Sequence, residues 1–197
     1  MQKIRNKDDL INHYSKCLKY MVSDLDFQRY LGAGAAEKTI KYGDIKDVPS
    51  ILDLLPEEKD YRIILTEWKK NMGHWCCLLR YGNTIEWFDS FGILPDGELK
   101  FVPKFLRKAL GEQEHALTRI LKKAKEDGFL VIYNKRRFQS QKPGVDTCGR
   151  WALSRVVSML LGYDLEDYQQ MIDKRVKETG KPADIVVCDL IPLPMGE

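Results

Sequence analysis

Acyl-transfer chemistry needs a nucleophile, a proton acceptor and a donor for the oxyanion, and this sequence is frugal with the first two. It has five cysteines (Cys17, Cys76, Cys77, Cys148, Cys188) and three histidines (His13, His74, His115). A thiol attacks carbonyl carbon as its anion, and at an ordinary pKa of about 8.5 only a few per cent is ionised at neutrality. Cys148 is the one cysteine whose surroundings favour the anion. A polar loop from Asn134 to Thr147 leads to it, and the apolar stripe Ala152, Leu153, Val156, Val157, Leu160 and Leu161 follows at helical spacing. Cys148 therefore opens a helix, where unpaired backbone N–H groups and the positive end of the helix dipole stabilise negative charge. Gly149 keeps that first turn uncluttered.

The proton acceptor is His74. The runs His74–Tyr81 and Thr84–Asp89, joined by Gly82-Asn83, predict a β-hairpin. His74 opens its first strand and Asp89 closes its second, so antiparallel pairing brings them close. A carboxylate there fixes the imidazole tautomer and stabilises the imidazolium. A tetrahedral oxyanion also needs donors. The side-chain amide of Gln141 offers one, because Pro143 and Gly144 let its loop fold back toward Cys148, whose backbone N–H offers another. Gln139 is the rival amide.

Four blocks, Gly73-His74-Trp75, Trp87-Phe88-Asp89-Ser90-Phe91-Gly92, Gln141 and Cys148-Gly149, stand in an order and at spacings that resemble the clan CE cysteine proteases. That clan includes the adenovirus maturation protease, adenain, and the SUMO-specific proteases. The resemblance runs from Tyr61 to Leu161, about half of the chain. It implies His74 as general base, Cys148 as nucleophile, Asp89 as orienting acid, Gln141 as oxyanion donor and Trp75 packed beside the site, facing substrate. It further implies cleavage of capsid or core precursors after a small residue such as Gly, with DNA or a peptide as activator. Ubiquitin-like-protein deconjugation and acyl transfer are the alternatives within the fold. A non-enzymatic DNA-binding virion protein is the alternative outside it. SUMO-specific proteases carry Asp directly before Cys, whereas Thr147 separates Asp146 from Cys148 here. That departure leans toward the maturation proteases of DNA viruses or virophages, acting in the virion or in the host cytoplasm or nucleus.

The rest of the sequence must position these groups. With 197 residues, it reads as one domain, 1–197, comprising a helical region over 1–45 and a catalytic core over 60–161. Leu10, Ile11, Tyr14, Cys17, Leu18 and Met21 recur as one face of a helix, and Gly32–Ala36 reads as a loop. Ile51–Leu55 predicts a short helix, Tyr61–Thr66 a strand, Val102–Leu110 and Glu112–Lys125 helices, and Phe129–Tyr133 a strand. A helix over Leu165–Glu178 and a last strand over Ile185–Cys188 complete an α+β fold, a small mixed sheet with a central hairpin flanked by helices, adenain-like by resemblance.

Composition bounds the reading. Mean hydropathy is −0.39 and no apolar run approaches the roughly 18 residues of a membrane span, so a soluble protein without membrane partners is expected. No apolar segment follows the basic residues of the opening, so no secretory signal is expected. The odd number of widely spaced cysteines fits free thiols in a reducing compartment. No Cys-x-x-Cys pair exists, so no structural zinc and no cofactor is expected. A net charge of +3 does not announce a nucleic-acid-binding protein. The local clusters Lys122-Lys123-Ala124-Lys125 and Lys135-Arg136-Arg137 read as solvated faces and leave room for DNA as a helper.

Overall fold

The computed structural model describes residues 7–110 and 115–192. Its strands are β1 (Thr39–Lys41), β2 (Asp60–Lys69), β3 (Met72–Tyr81), β4 (Thr84–Phe88) and β5 (Leu130–Tyr133), hydrogen-bonded in that order into one mixed sheet. The expected hairpin is its centre: β3 and β4 pair antiparallel from Tyr81↔Thr84 to Cys77↔Phe88. A second hairpin joins β2 to β3, because β2 extends beyond Thr66 to Lys69 and turns at Asn71, which adopts φ +59°. The outer strands β1 and β5 run parallel to their neighbours β2 and β4.

Helices cover both faces, so the middle strands read as nearly continuous apolar runs. Alternation divides them: Ile63, Cys77, Leu79 and Phe88 enter one core, Ile64, Cys76, Leu78, Ile85 and Trp87 the other. The first core is closed by α2 (Asp24–Leu31), α7 (Cys148–Leu160), α8 (Leu165–Thr179) and α9 (Ala183–Leu190). The second is closed by α4 (Ile51–Leu54), α6 (Ala116–Glu126) and a 3₁₀ turn over Gly97–Phe101. The remaining helices are α1 (Lys7–Lys19), α3 (Ala35–Lys38) and α5 (Lys104–Leu110). Of the predicted helix Glu112–Lys125, residues up to 114 lie outside the described residues.

A buried ion pair fixes α7 on the sheet. Arg155 donates from Nε and Nη2 to the two carboxylate oxygens of Glu86 at 2.8 and 2.7 Å, and neither side chain is exposed. Tyr81 donates to the same carboxylate at 2.7 Å, and Arg155 Nη1 donates to the Tyr163 carbonyl at 3.1 Å. The buried charges are thereby paired and hydrogen-bonded, as low-dielectric surroundings demand.

Two expectations are corrected. Ile185–Cys188 lies within helix α9, not in a strand. β-Branched propensity is overridden by packing, because the helix aligns Asp184, Val187, Cys188 and Ile191 at three- and four-residue spacing, all buried. Cys17 and Cys188 are not free thiols: they form a disulfide between α1 and α9, with Cα atoms 6.2 Å apart at a sequence separation of 171. Only the packing of α1 on α9 reveals that pairing. Cys76, Cys77 and Cys148 are the free thiols. α1 forms as predicted but ends at Lys19, before Met21, and both Ile11 and Met21 of the expected apolar face remain more than half exposed. Among the described residues no helix is long and apolar enough to cross a membrane.

Candidate active site

His74, Cys76 and Asp89 share one side of the sheet by strand arithmetic. Side chains two apart on β3 point the same way, and the ladder that ends at Cys77↔Phe88 sets Asp89 level with Cys76. His74 Nε2 lies 3.4 Å from Asp89 Oδ1, and Cys76 Sγ donates to Asp89 Oδ2 at 3.5 Å. Asp89 is in turn held by the Phe91 N–H at 2.6 Å and, through its backbone carbonyl, by Asn134 Nδ2 at 2.7 Å. Gly92 makes that loop possible: its φ is +73°, and a Cβ there would lie 2.7 Å from the Lys135 carbonyl oxygen. Phe91 stacks on the imidazole at 4.7 Å and an interplanar angle of 14°, fixing the ring from its flat side.

With Nε2 turned to the carboxylate, Nδ1 is the ring nitrogen left for Cys148, which lines the same cavity as His74. Cys148 is the first residue of α7, as expected. That terminus is held by Asp184, which accepts from Thr147 Oγ1 at 2.5 Å, from Trp151 Nε1 at 3.1 Å and from the Ser140 N–H at 2.9 Å. Gly149 is required by close approach, since a Cβ there would meet Val22 Cβ at 2.5 Å. Val22 in turn accepts from Trp75 Nε1 at 2.8 Å, so the segment between α1 and α2 forms a wall of the site.

A cavity of about 540 Å³ opens onto Cys148 and His74, lined also by Met21, Trp68, Met72, Trp75 and Gln139. Gln139 is buried, accepts from Ser90 Oγ at 2.8 Å and donates to the Val145 carbonyl at 3.0 Å. Gln141 is exposed and lines a separate cavity of about 90 Å³ with Phe91, Glu98 and Phe101. The structure therefore brings together His74, Asp89, Cys148, Trp75 and Gln139, with Gln141 on the other side of Phe91.

Glu98 is the residue that sequence reasoning missed. The 3₁₀ turn carries it to 3.5 Å from His74 Nε2, nearly the same distance as Asp89. Nothing in Asp96-Gly97-Glu98 signals more than a turn; Cys76, by contrast, was detectable as the residue two beyond His74. Asp96 anchors the turn: it has φ +64°, accepts from Tyr42 Oη at 2.5 Å, and accepts from the N–H groups of Leu117 and Thr118 at the start of α6 at 3.3 and 2.8 Å.

Burial by itself pushes the His74 imidazole toward its neutral form, but Cys76, Glu98, Asp89 and Cys148 together raise its pKa well above the ordinary value. Burial also pushes the Cys76 thiol well up, so it stays protonated at neutral pH and the charge felt by His74 comes from the carboxylates. The Glu98 carboxyl is lifted to about 7 by burial, with His74 opposing and Asp89 adding. One ligand atom each of His74, Cys76, Asp89 and Glu98 falls within 4.8 Å of the others, a nitrogen, sulfur and oxygen set chemically able to hold a small cation such as zinc. Their mutual hydrogen bonds make it equally a proton-sharing cluster.

Lys122, Lys123 and Lys125 are exposed on α6, and Arg136 is paired with Asp173 of α8.

The chain is similar to the uncharacterized protein V9 of Sputnik virophage, with 36% identity over 112 residues. The match takes in 56% of this chain and 61% of the virophage protein, so it spans less than two thirds of that relative. No family model and no solved structure matches the sequence.

Proposed function

We propose that this protein is a cysteine endopeptidase of the adenain-like clan CE type, processing capsid or core precursors of a virophage or related DNA virus. The observation that carries the reading is Cys148 at the first turn of α7, lining one cavity with His74, whose Nε2 is held 3.4 Å from Asp89. A raised imidazole pKa favours the thiolate–imidazolium pair, and the helix terminus adds its partial positive charge.

In this mechanism the Cys148 sulfur attacks the scissile carbonyl carbon and forms a C–S bond. The C–N bond breaks as His74 Nδ1–H passes its proton to the leaving amine. Water then gives a proton to Nδ1 and attacks the thioester, and Cys148 leaves as thiolate. The developing oxyanion is met by the Cys148 backbone N–H and the amide of Gln139, which shares the cavity. Similarity to a virophage protein supports the viral setting. DNA or a peptide as activator, and ubiquitin-like proteins as alternative substrates, remain parts of the proposal carried by the family resemblance alone.

Labelling with an electrophilic acyl probe tests the reading. The parent protein should label, Cys148→Ala should not, and His74→Ala should label at least about 100-fold more slowly. Probe incorporation that persists in Cys148→Ala refutes the nucleophile. Incubation with capsid precursors and with ubiquitin-like fusions, scored by mass of the products, separates the two substrate classes.

A further inference from the structure

We propose that Glu98 is a second carboxylate partner of His74, a positioning residue that shares Nε2 with Asp89 and sets how readily the imidazole gives its proton to a leaving group. The inference rests on the thiol-protease reading of Cys148 and His74.

Geometry carries it. Two carboxyl groups approach one ring nitrogen at 3.4 and 3.5 Å, in a pocket where His74, Asp89 and Glu98 are at least nine-tenths buried. Two like charges packed this closely in low dielectric hold a proton between them. The groups facing Glu98 are His74 and Cys76 from β3, Asp89 from the end of β4 and Lys100 from its own turn, with Cys148 across the imidazole. The second cavity, lined by Thr66, Phe91 and Gln141, also reaches Glu98.

The two carboxyl groups are therefore deputies for each other: when Asp89 is replaced by an amide, Glu98 still faces Nε2 at nearly the same distance and holds the imidazole in place.

The test uses four forms of the full chain: parent, Glu98→Gln, Asp89→Asn and the double variant, with kcat measured at one pH. Each single variant should lose about 10-fold or less, because the other carboxylate remains, whereas the double variant should lose about 10³-fold or more, the scale known for an orienting carboxylate with no deputy. A double variant no worse than Asp89→Asn overturns the proposal. A separate readout needs no catalysis: in a Cys148→Ala background, NMR titration of His74 should show its pKa falling when Glu98→Gln is added. If the protein cleaves nothing, that titration still decides the role of Glu98, so failure of the protease reading is distinguishable from failure of this inference. Should Glu98→Gln not fold by near-ultraviolet circular dichroism, Glu98→Asp, which withdraws the acid by one methylene, serves in the same measurements.

Discussion

Removing Arg155 should show how much of the placement of α7 depends on one buried ion pair. Arg155→Met deletes both donors to Glu86 and the donor to the Tyr163 carbonyl, leaving a fully buried carboxylate with Tyr81 as its remaining hydrogen-bond donor. Breaking a buried pair from one side costs about 3–5 kcal/mol, because the surviving charge is stranded. For a chain of this length each kcal/mol lowers Tm by about 2–4 °C, so the variant should melt about 6–20 °C below the parent. Adding Glu86→Leu to Arg155→Met removes the stranded charge, and most of the loss should return, since apolar replacement of a buried pair is often neutral. Thermal melts and urea titrations of the parent, both singles and the double measure this as a double-mutant cycle. A single variant that loses under about 1 kcal/mol, or a double less stable than the worse single, refutes the reasoning.

Gln139→Ala should lower kcat by about 10²–10³-fold while Gln141→Ala changes it little, because only Gln139 shares the cavity with Cys148; a kinetic comparison of the two decides between the amides. Gly149→Ala places a methyl 2.5 Å from Val22 Cβ and should cost about 1–3 kcal/mol in stability, measured by urea titration, with slower probe labelling of Cys148 as the α1–α2 wall shifts. Iodoacetamide on the native, unreduced protein should modify Cys148 alone, since Cys76 and Cys77 are fully buried with thiols pushed well up by burial and Cys17–Cys188 is a disulfide; peptide mass mapping reads the sites.

Local rules reached the hairpin and the helix start because both are written in consecutive residues. Gly82-Asn83 between two aromatic runs specifies β3 and β4, and the polar approach to Cys148 specifies the start of α7. Strand pairing then delivers His74 and Asp89 to one face without further information. What failed was whatever depends on partners distant in sequence. Ile185-Val186-Val187-Cys188 has strand propensity, but Asp184 must reach Ser140, Thr147 and Trp151 while Val187 and Cys188 stay buried, and only a helix satisfies both demands. The pairing of Cys17 with Cys188 likewise exists only once α1 lies on α9.

Glu98 shows why a site's electrostatics are harder to read than its nucleophile. Its position depends on Asp96, whose carboxylate caps α6 through Leu117 and Thr118 and accepts the Tyr42 hydroxyl, so three segments far apart in sequence fix one side chain. No residue type or spacing near Glu98 encodes that. The consequence reaches the chemistry directly: the proton affinity of His74 is set jointly by a strand residue that sequence pairing finds and by a turn residue that only packing finds. A candidate nucleophile can therefore be proposed from local pattern, while the electrostatics around it belong to the tertiary structure.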